Sequence, residues 1–187
     1  MEKKLRQEPN KLIKIVLFGP ESTGKTTLSR QLAEYYNTVW VPEFSRDYLQ
    51  EKWDKEHKVC EIKDIVPIAI GQMKLENTLA KKANKILICD TNLLETKVYS
   101  EEYYSGFVDE CVKNAAIENQ YNLYLLTYID VPWEADDLRD RPEQAEEMFL
   151  AFENTLKKYK KPYITLKGDK ETRLNNAITE IDKLLEK

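Results

Sequence analysis

The segment from Ile13 to Leu28 constrains the fold more than any other. An apolar, β-branched run, Ile13 to Phe18, leads into Gly19-Pro20-Glu21-Ser22-Thr23-Gly24-Lys25-Thr26. A helical pattern follows, with Leu28, Leu32 and Tyr35 on one face. Gly-x-x-x-x-Gly-Lys-Thr between a strand and a helix is the setting of a phosphate-binding loop. Its chemistry explains its spacing. A polyphosphate needs many donors and little side-chain bulk around it, so two glycines let the backbone turn tightly and approach closely. The amides from about Glu21 to Thr26 form an anion-binding nest, and the helix opening at Lys25 adds its partial positive charge. The Lys25 ammonium reaches the β- and γ-phosphates, and the Thr26 hydroxyl ligates Mg²⁺. The residues expected to hold ATP are therefore Gly19, Glu21, Ser22, Thr23, Gly24, Lys25, Thr26 and Thr27.

The rest of the chain alternates strand-like and helical runs, which predicts a three-layer α/β fold with a mainly parallel, five-stranded sheet. Strands are expected at Lys14–Phe18, Thr38–Val41, Lys85–Cys89, Leu123–Ile129 and Pro162–Leu166. Helices are expected at Lys25–Tyr36, Ser45–Trp53 with Ser45 as cap, and Lys63–Ala83 capped by Asp64 with Pro67 in its first turn. Glu95–Tyr104 reads as helix or loop. Further helices are expected at Phe107–Asn119, Glu143–Lys158 and Glu171–Leu185. Gly71-Gln72 inside the third helix suggests close packing against a strand, with a substrate contact through Gln72 as the alternative. Residues 1–187 are expected to form one domain. The polar segment Met1–Asn10 reads as a frayed arm and residues 131–142 as a short lid.

With 33% charged residues, 42% hydrophobic residues and a net charge of −4, the chain is globular and lacks the basic excess of a nucleic-acid binder. Cys60, Cys89 and Cys111 show no zinc spacing and fit a reducing, cytoplasmic setting. No membrane-length apolar run occurs. The single histidine, His57, sits in a charged loop and reads as solvated.

In a parallel sheet the ligand lies beyond the carboxyl ends of the strands, which directs attention to the residues just after each one. Asp90 closes the third strand, as a Mg²⁺-holding carboxylate does. Glu43 and Arg46 follow the second strand, where a carboxylate can orient an acceptor hydroxyl and an arginine can clamp a phosphoryl group. Phe44, between them, is a candidate substrate contact. Arg139 and Arg141 suit a lid that neutralises charge during transfer. Among the aromatics, Trp40, Phe44, Tyr48 and Trp133 are candidates to stack on a flat ring.

Four blocks in this order resemble the NadR-type ribosylnicotinamide kinase domains of the P-loop NTPase superfamily: Gly19–Leu28, Pro42–Tyr48, Asp90–Thr96 and Asp130–Arg139. The resemblance spans nearly the whole chain. It implies a P-loop kinase fold and transfer of the ATP γ-phosphoryl group to the ribose 5′-hydroxyl of nicotinamide riboside. By position it places Lys25 and Thr26 at ATP–Mg²⁺, Glu43 and Arg46 at the acceptor, Asp90 at metal or acceptor hydroxyl, and Arg139 in the lid. It does not extend to the adenylyltransferase and DNA-binding domains found with that kinase domain. The family's tryptophan directly before the glutamate of the second block is replaced by Pro42, with Trp40 two residues earlier. Another nucleoside as acceptor, or a regulatory ATPase without a metabolite acceptor, are the alternatives.

Overall fold

The computed structural model describes residues 1–134, 138 and 142–186. Its centre is a five-stranded, wholly parallel sheet in the order β2-β3-β1-β4-β5. The strands are β1 (Ile13–Phe18), β2 (Trp40–Val41), β3 (Ile86–Asp90), β4 (Leu123–Thr127) and β5 (Tyr163–Leu166). The helices are α1 (Glu2–Leu5), α2 (Lys25–Tyr35), α3 (Phe44–Glu56), α4 (Ile62–Ala80), α5 (Leu93–Tyr103), α6 (Glu110–Glu118), α7 (Ala145–Lys158) and α8 (Lys170–Leu185). The period of two along β1 builds the layers. Val16 and Phe18 face one core with Met73, Leu94, Val112 and Phe152 of α4–α7. Ile15 and Leu17 face another with Leu28 and Leu32 of α2 and Ala177 and Ile181 of α8. The expected three-layer α/β architecture is thus present. Among the described residues no helix is long and apolar enough to cross a membrane.

Several expectations need correction. The N-terminal segment is not frayed: Leu5 is fully buried in the first core. Asn119 donates to the Leu5 carbonyl (3.2 Å), and Gln7 donates to the buried Glu76 (2.8 Å). Helix α3 begins one residue before Ser45, with Glu43 at the cap position, and the Ser45 hydroxyl donates to the Glu43 carboxylate. Helix α4 is capped by Glu61, with Asp64 as the reciprocal member of a capping box. This start places Pro67 sixth in the helix, beyond its first turn. Gly71 lies closest to α3 rather than to a strand: a Cβ there would lie 2.1 Å from the Phe44 ring. Gln72, next to it, accepts from the Phe44 amide (2.8 Å) and donates to the Pro42 carbonyl (3.3 Å). Gly71 and Gln72 together therefore fix the turn between β2 and α3.

Candidate active site

Five strands pointing the same way bring their C-terminal ends to one edge, and Lys25, Glu43, Arg46 and Asp90 converge there. The phosphate loop follows β1. Gly19 (φ +137°) passes so close to β4 that a Cβ would sit 2.8 Å from Thr127 Oγ1. Thr23 is buried; its hydroxyl donates to the Pro20 carbonyl (2.7 Å) and lies 2.7 Å from Thr127 Oγ1. Ser22 (φ +59°) and Gly24 (φ +83°) take left-handed backbone, and Gly24 caps α2. From the far end of the sequence, Arg173 of α8 locks this loop in place. Its buried guanidinium donates to the carbonyls of Thr23 (2.7 Å), Tyr128 (2.8 Å) and Gly168 (2.9 Å) and pairs with Asp130.

A cavity of about 830 Å³ opens above the loop. Glu21, Ser22, Thr23, Gly24, Lys25, Thr26 and Thr27 line one side of it, and Glu43, Arg46 and Asp90 line another. Gly19 lies beneath this surface, against Thr127. Phe44 is not among the lining residues, because its ring is turned onto Gly71. Arg139 and Arg141 lie outside the described residues. Of the expected lid, Val131, Pro132, Glu134 and Leu138 border the cavity, and the Glu134 amide donates to Ser22 Oγ (2.8 Å). Trp40 borders it as well, with the Arg30 guanidinium 5.1 Å from its ring centre.

The electrostatics centre on Lys25. This buried ammonium donates to the carbonyls of Gly19 (2.7 Å) and Pro20 (2.8 Å), and Glu95 Oε1 lies 3.3 Å away. Burial opposes its charge, yet Glu95, Glu43 and Asp90 together hold it above the ordinary lysine pKa. The carboxylates respond in turn. Burial and the neighbouring Glu43 push Asp90 up to about 6. Burial pushes Glu95 up to about 8, with Lys25 opposing the rise. Thr26 is near enough to Asp90 to hold its pKa down somewhat. Even so, neither buried Asp90 oxygen makes a hydrogen bond of ordinary geometry among the described residues. A hydroxyl and an unpartnered buried carboxylate suit Mg²⁺, which takes few protein ligands and keeps its waters and phosphates. Among the described residues there is no group of three or more acidic, histidine or cysteine ligands that would hold a metal alone.

A family model for an AAA domain matches residues 14–173. The chain belongs to this AAA-domain family. This AAA domain is also 30% identical over 142 residues to the trifunctional NAD biosynthesis/regulator protein NadR of Salmonella typhimurium, covering 76% of the chain and 34% of that protein. The match to Escherichia coli NadR is 30% over 125 residues, covering 67% and 30%. The chain thus spans about a third of the length of the curated relatives it matches. A NadR crystal structure in complex with NR superposes with a TM-score of 0.77 at 20% identity, covering 92% of this chain and 51% of that one. Deoxyadenosine kinase from M. mycoides superposes at 0.69 and 16%, covering 91% and 100%. The AAA domain therefore has the α/β fold of the P-loop nucleoside kinases.

Sequence reasoning missed two residues of this site. Glu95 stands within the block Asp90–Thr96, but nothing in the pattern marks it as buried against Lys25. Arg173 shows only as one charge in an amphipathic helix; its burial appears once α8 has packed.

Proposed function

We propose that this AAA domain is an ATP-dependent small-molecule kinase that phosphorylates the ribose 5′-hydroxyl of nicotinamide riboside to give nicotinamide mononucleotide. One observation carries the reading: a single cavity is lined on one side by the phosphate loop and on the other by Glu43, Arg46 and Asp90. Its volume is near the upper end for small-molecule sites, which suits a donor and an acceptor side by side. The relationship to NadR supports the acceptor.

In this reading the phosphate loop and Lys25 hold the triphosphate, while Thr26 and Asp90 hold Mg²⁺, which would neutralise phosphate charge when bound. Glu43 orients the acceptor hydroxyl and receives its proton. The hydroxyl oxygen then forms the new bond to the γ-phosphorus as the bond to the β,γ-bridging oxygen breaks, leaving ADP. Arg46, with Arg139 and Arg141 from the lid, offsets the charge that builds up on the phosphoryl group. Positioning and charge neutralisation account for most of the rate.

A second reading, another nucleoside as acceptor, is favoured by Pro42 in place of the family tryptophan and by the fold shared with deoxyadenosine kinase. A coupled ADP-release assay across a nucleoside panel separates the two. Strong stimulation by nicotinamide riboside supports the first reading and stimulation by a different nucleoside the second. Slow ATP turnover that no acceptor stimulates would point to a regulatory ATPase. Lys25→Ala is expected to lose ATP turnover. Glu43→Ala is expected to keep ATP affinity and lose acceptor phosphorylation.

A further inference from the structure

Glu95 is a buried acid in the cavity wall that the scheme above leaves unused. It sits in the first turn of α5, its relative exposure is 3%, and it lines the cavity. Its two oxygens have different surroundings. Oε1 faces Lys25 Nζ at 3.3 Å. Oε2 is buried and has no hydrogen-bond partner among the described residues. An unsatisfied buried oxygen costs about 1–3 kcal/mol unless something else satisfies it. Because Glu95 is part of the cavity wall, a bound ligand is the natural source of that partner.

The neighbouring charges decide what kind of partner this is. Glu95 is faced by Lys25 from α2, Glu43 from the cap of α3 and Asp90 from the end of β3, with Tyr99 one turn along its own helix. Three carboxylates thus share one ammonium. A triphosphate drawn to Lys25 brings still more negative charge into the same buried space. A carboxylate at Oε2 would repel it, whereas a neutral carboxylic acid presents an O–H. That donor has no acceptor among the described residues, and a phosphate oxygen reaching for Lys25 arrives beside it.

We propose that Glu95 is a ligand-contacting residue that works as a neutral acid, its Oε2–H donating a hydrogen bond to the nucleotide's terminal phosphate while Oε1 faces Lys25. The buried cluster and the partnerless oxygen carry this assignment. The rise of Glu95 to about 8 agrees with it, since the proton is then held through neutral pH. The proposal rests on the kinase reading only as far as nucleotide binding, so it can be tested without an acceptor.

The test is equilibrium binding of a non-hydrolysable ATP analogue with Mg²⁺ to the whole chain between pH 7 and pH 9, for wild type, Glu95→Gln and Glu95→Met. Thermal melts would confirm that each variant is folded. With a group titrating near 8, wild-type affinity should fall about tenfold over those two units. Glu95→Gln keeps a donor of the same shape and cannot ionise, so it should bind within about threefold of wild type at pH 7 and lose the extra decline. Glu95→Met, with no donor, should bind at least tenfold more weakly than Glu95→Gln at both pH values. The proposal is overturned if Glu95→Gln declines as wild type does, or if all three proteins bind alike. It is also overturned if Glu95→Gln is as weak as Glu95→Met at pH 7, since a retained donor would then contribute nothing to binding. Failure of the kinase reading would appear separately, as normal analogue binding with no acceptor phosphorylated when ATP replaces the analogue.

Discussion

Replacing Gly71 by alanine tests how the acceptor side of the site is held. In a helix interior this change ordinarily stabilises by about 1 kcal/mol. Here the new methyl would lie 2.1–2.4 Å from three atoms of the Phe44 ring. Carbon atoms rest about 3.5–4.0 Å apart, so the ring must retreat by about 1.5 Å. Overpacking of this kind costs about 1–3 kcal/mol. Set against the propensity gain, Gly71→Ala alone should destabilise by about 1 kcal/mol, or roughly 2–4 °C in a chain of this size. In a Phe44→Ala background the clash is gone, and the same change should stabilise by about 1 kcal/mol. The two residues should therefore couple by about 2 kcal/mol in a double-mutant cycle read by urea unfolding. Phe44 follows Glu43 directly, and Gln72 ties its amide, so the retreat also displaces Glu43. The acceptor KM should rise several-fold while the ATP KM stays constant. If Gly71→Ala stabilises the wild type as much as it stabilises Phe44→Ala, the packing argument is wrong.

Three further outcomes follow from buried groups. Glu95 binds its proton more tightly folded than unfolded, so its contribution to stability is full below about 4.5 and is lost as pH rises towards about 8. Thermal melts across that range should show Glu95→Gln gaining on wild type with rising pH, by up to about 1.4 kcal/mol per unit; parallel curves would refute the burial argument. Arg173→Met orphans the Thr23, Tyr128 and Gly168 carbonyls and strands Asp130, so it should cost about 3 kcal/mol in urea unfolding and raise the ATP KM. Leu5→Ala should cost about 2–4 kcal/mol by the same measurement, although the surrounding segment looks like a dispensable tail.

These residues also mark where sequence reading succeeds and where it stops. The phosphate loop is legible because its chemistry is local: two glycines, a lysine and a threonine within eight positions need only a strand before and a helix after. Asp90 and Glu43 are legible because a parallel sheet collects its strand ends at one edge. Phe44 carried the right neighbours but the wrong partner, since only tertiary packing turns its ring onto Gly71. Leu5 was hidden as one apolar residue in a polar segment, and its burial depends on a groove formed by α4 and α6. Glu95 and Arg173 show no periodic signal at all, because a charge is recognised as buried only once the elements around it are in place.

In the proposed reaction this cavity moves a phosphoryl group from ATP to a nucleoside hydroxyl. The most direct test is phosphorus NMR of the protein with ATP, Mg²⁺ and nicotinamide riboside. Loss of the γ-phosphate signal should be matched by a new 5′-phosphomonoester, with no such transfer in Lys25→Ala. Inorganic phosphate as the only product, at a rate that the riboside does not change, would contradict it.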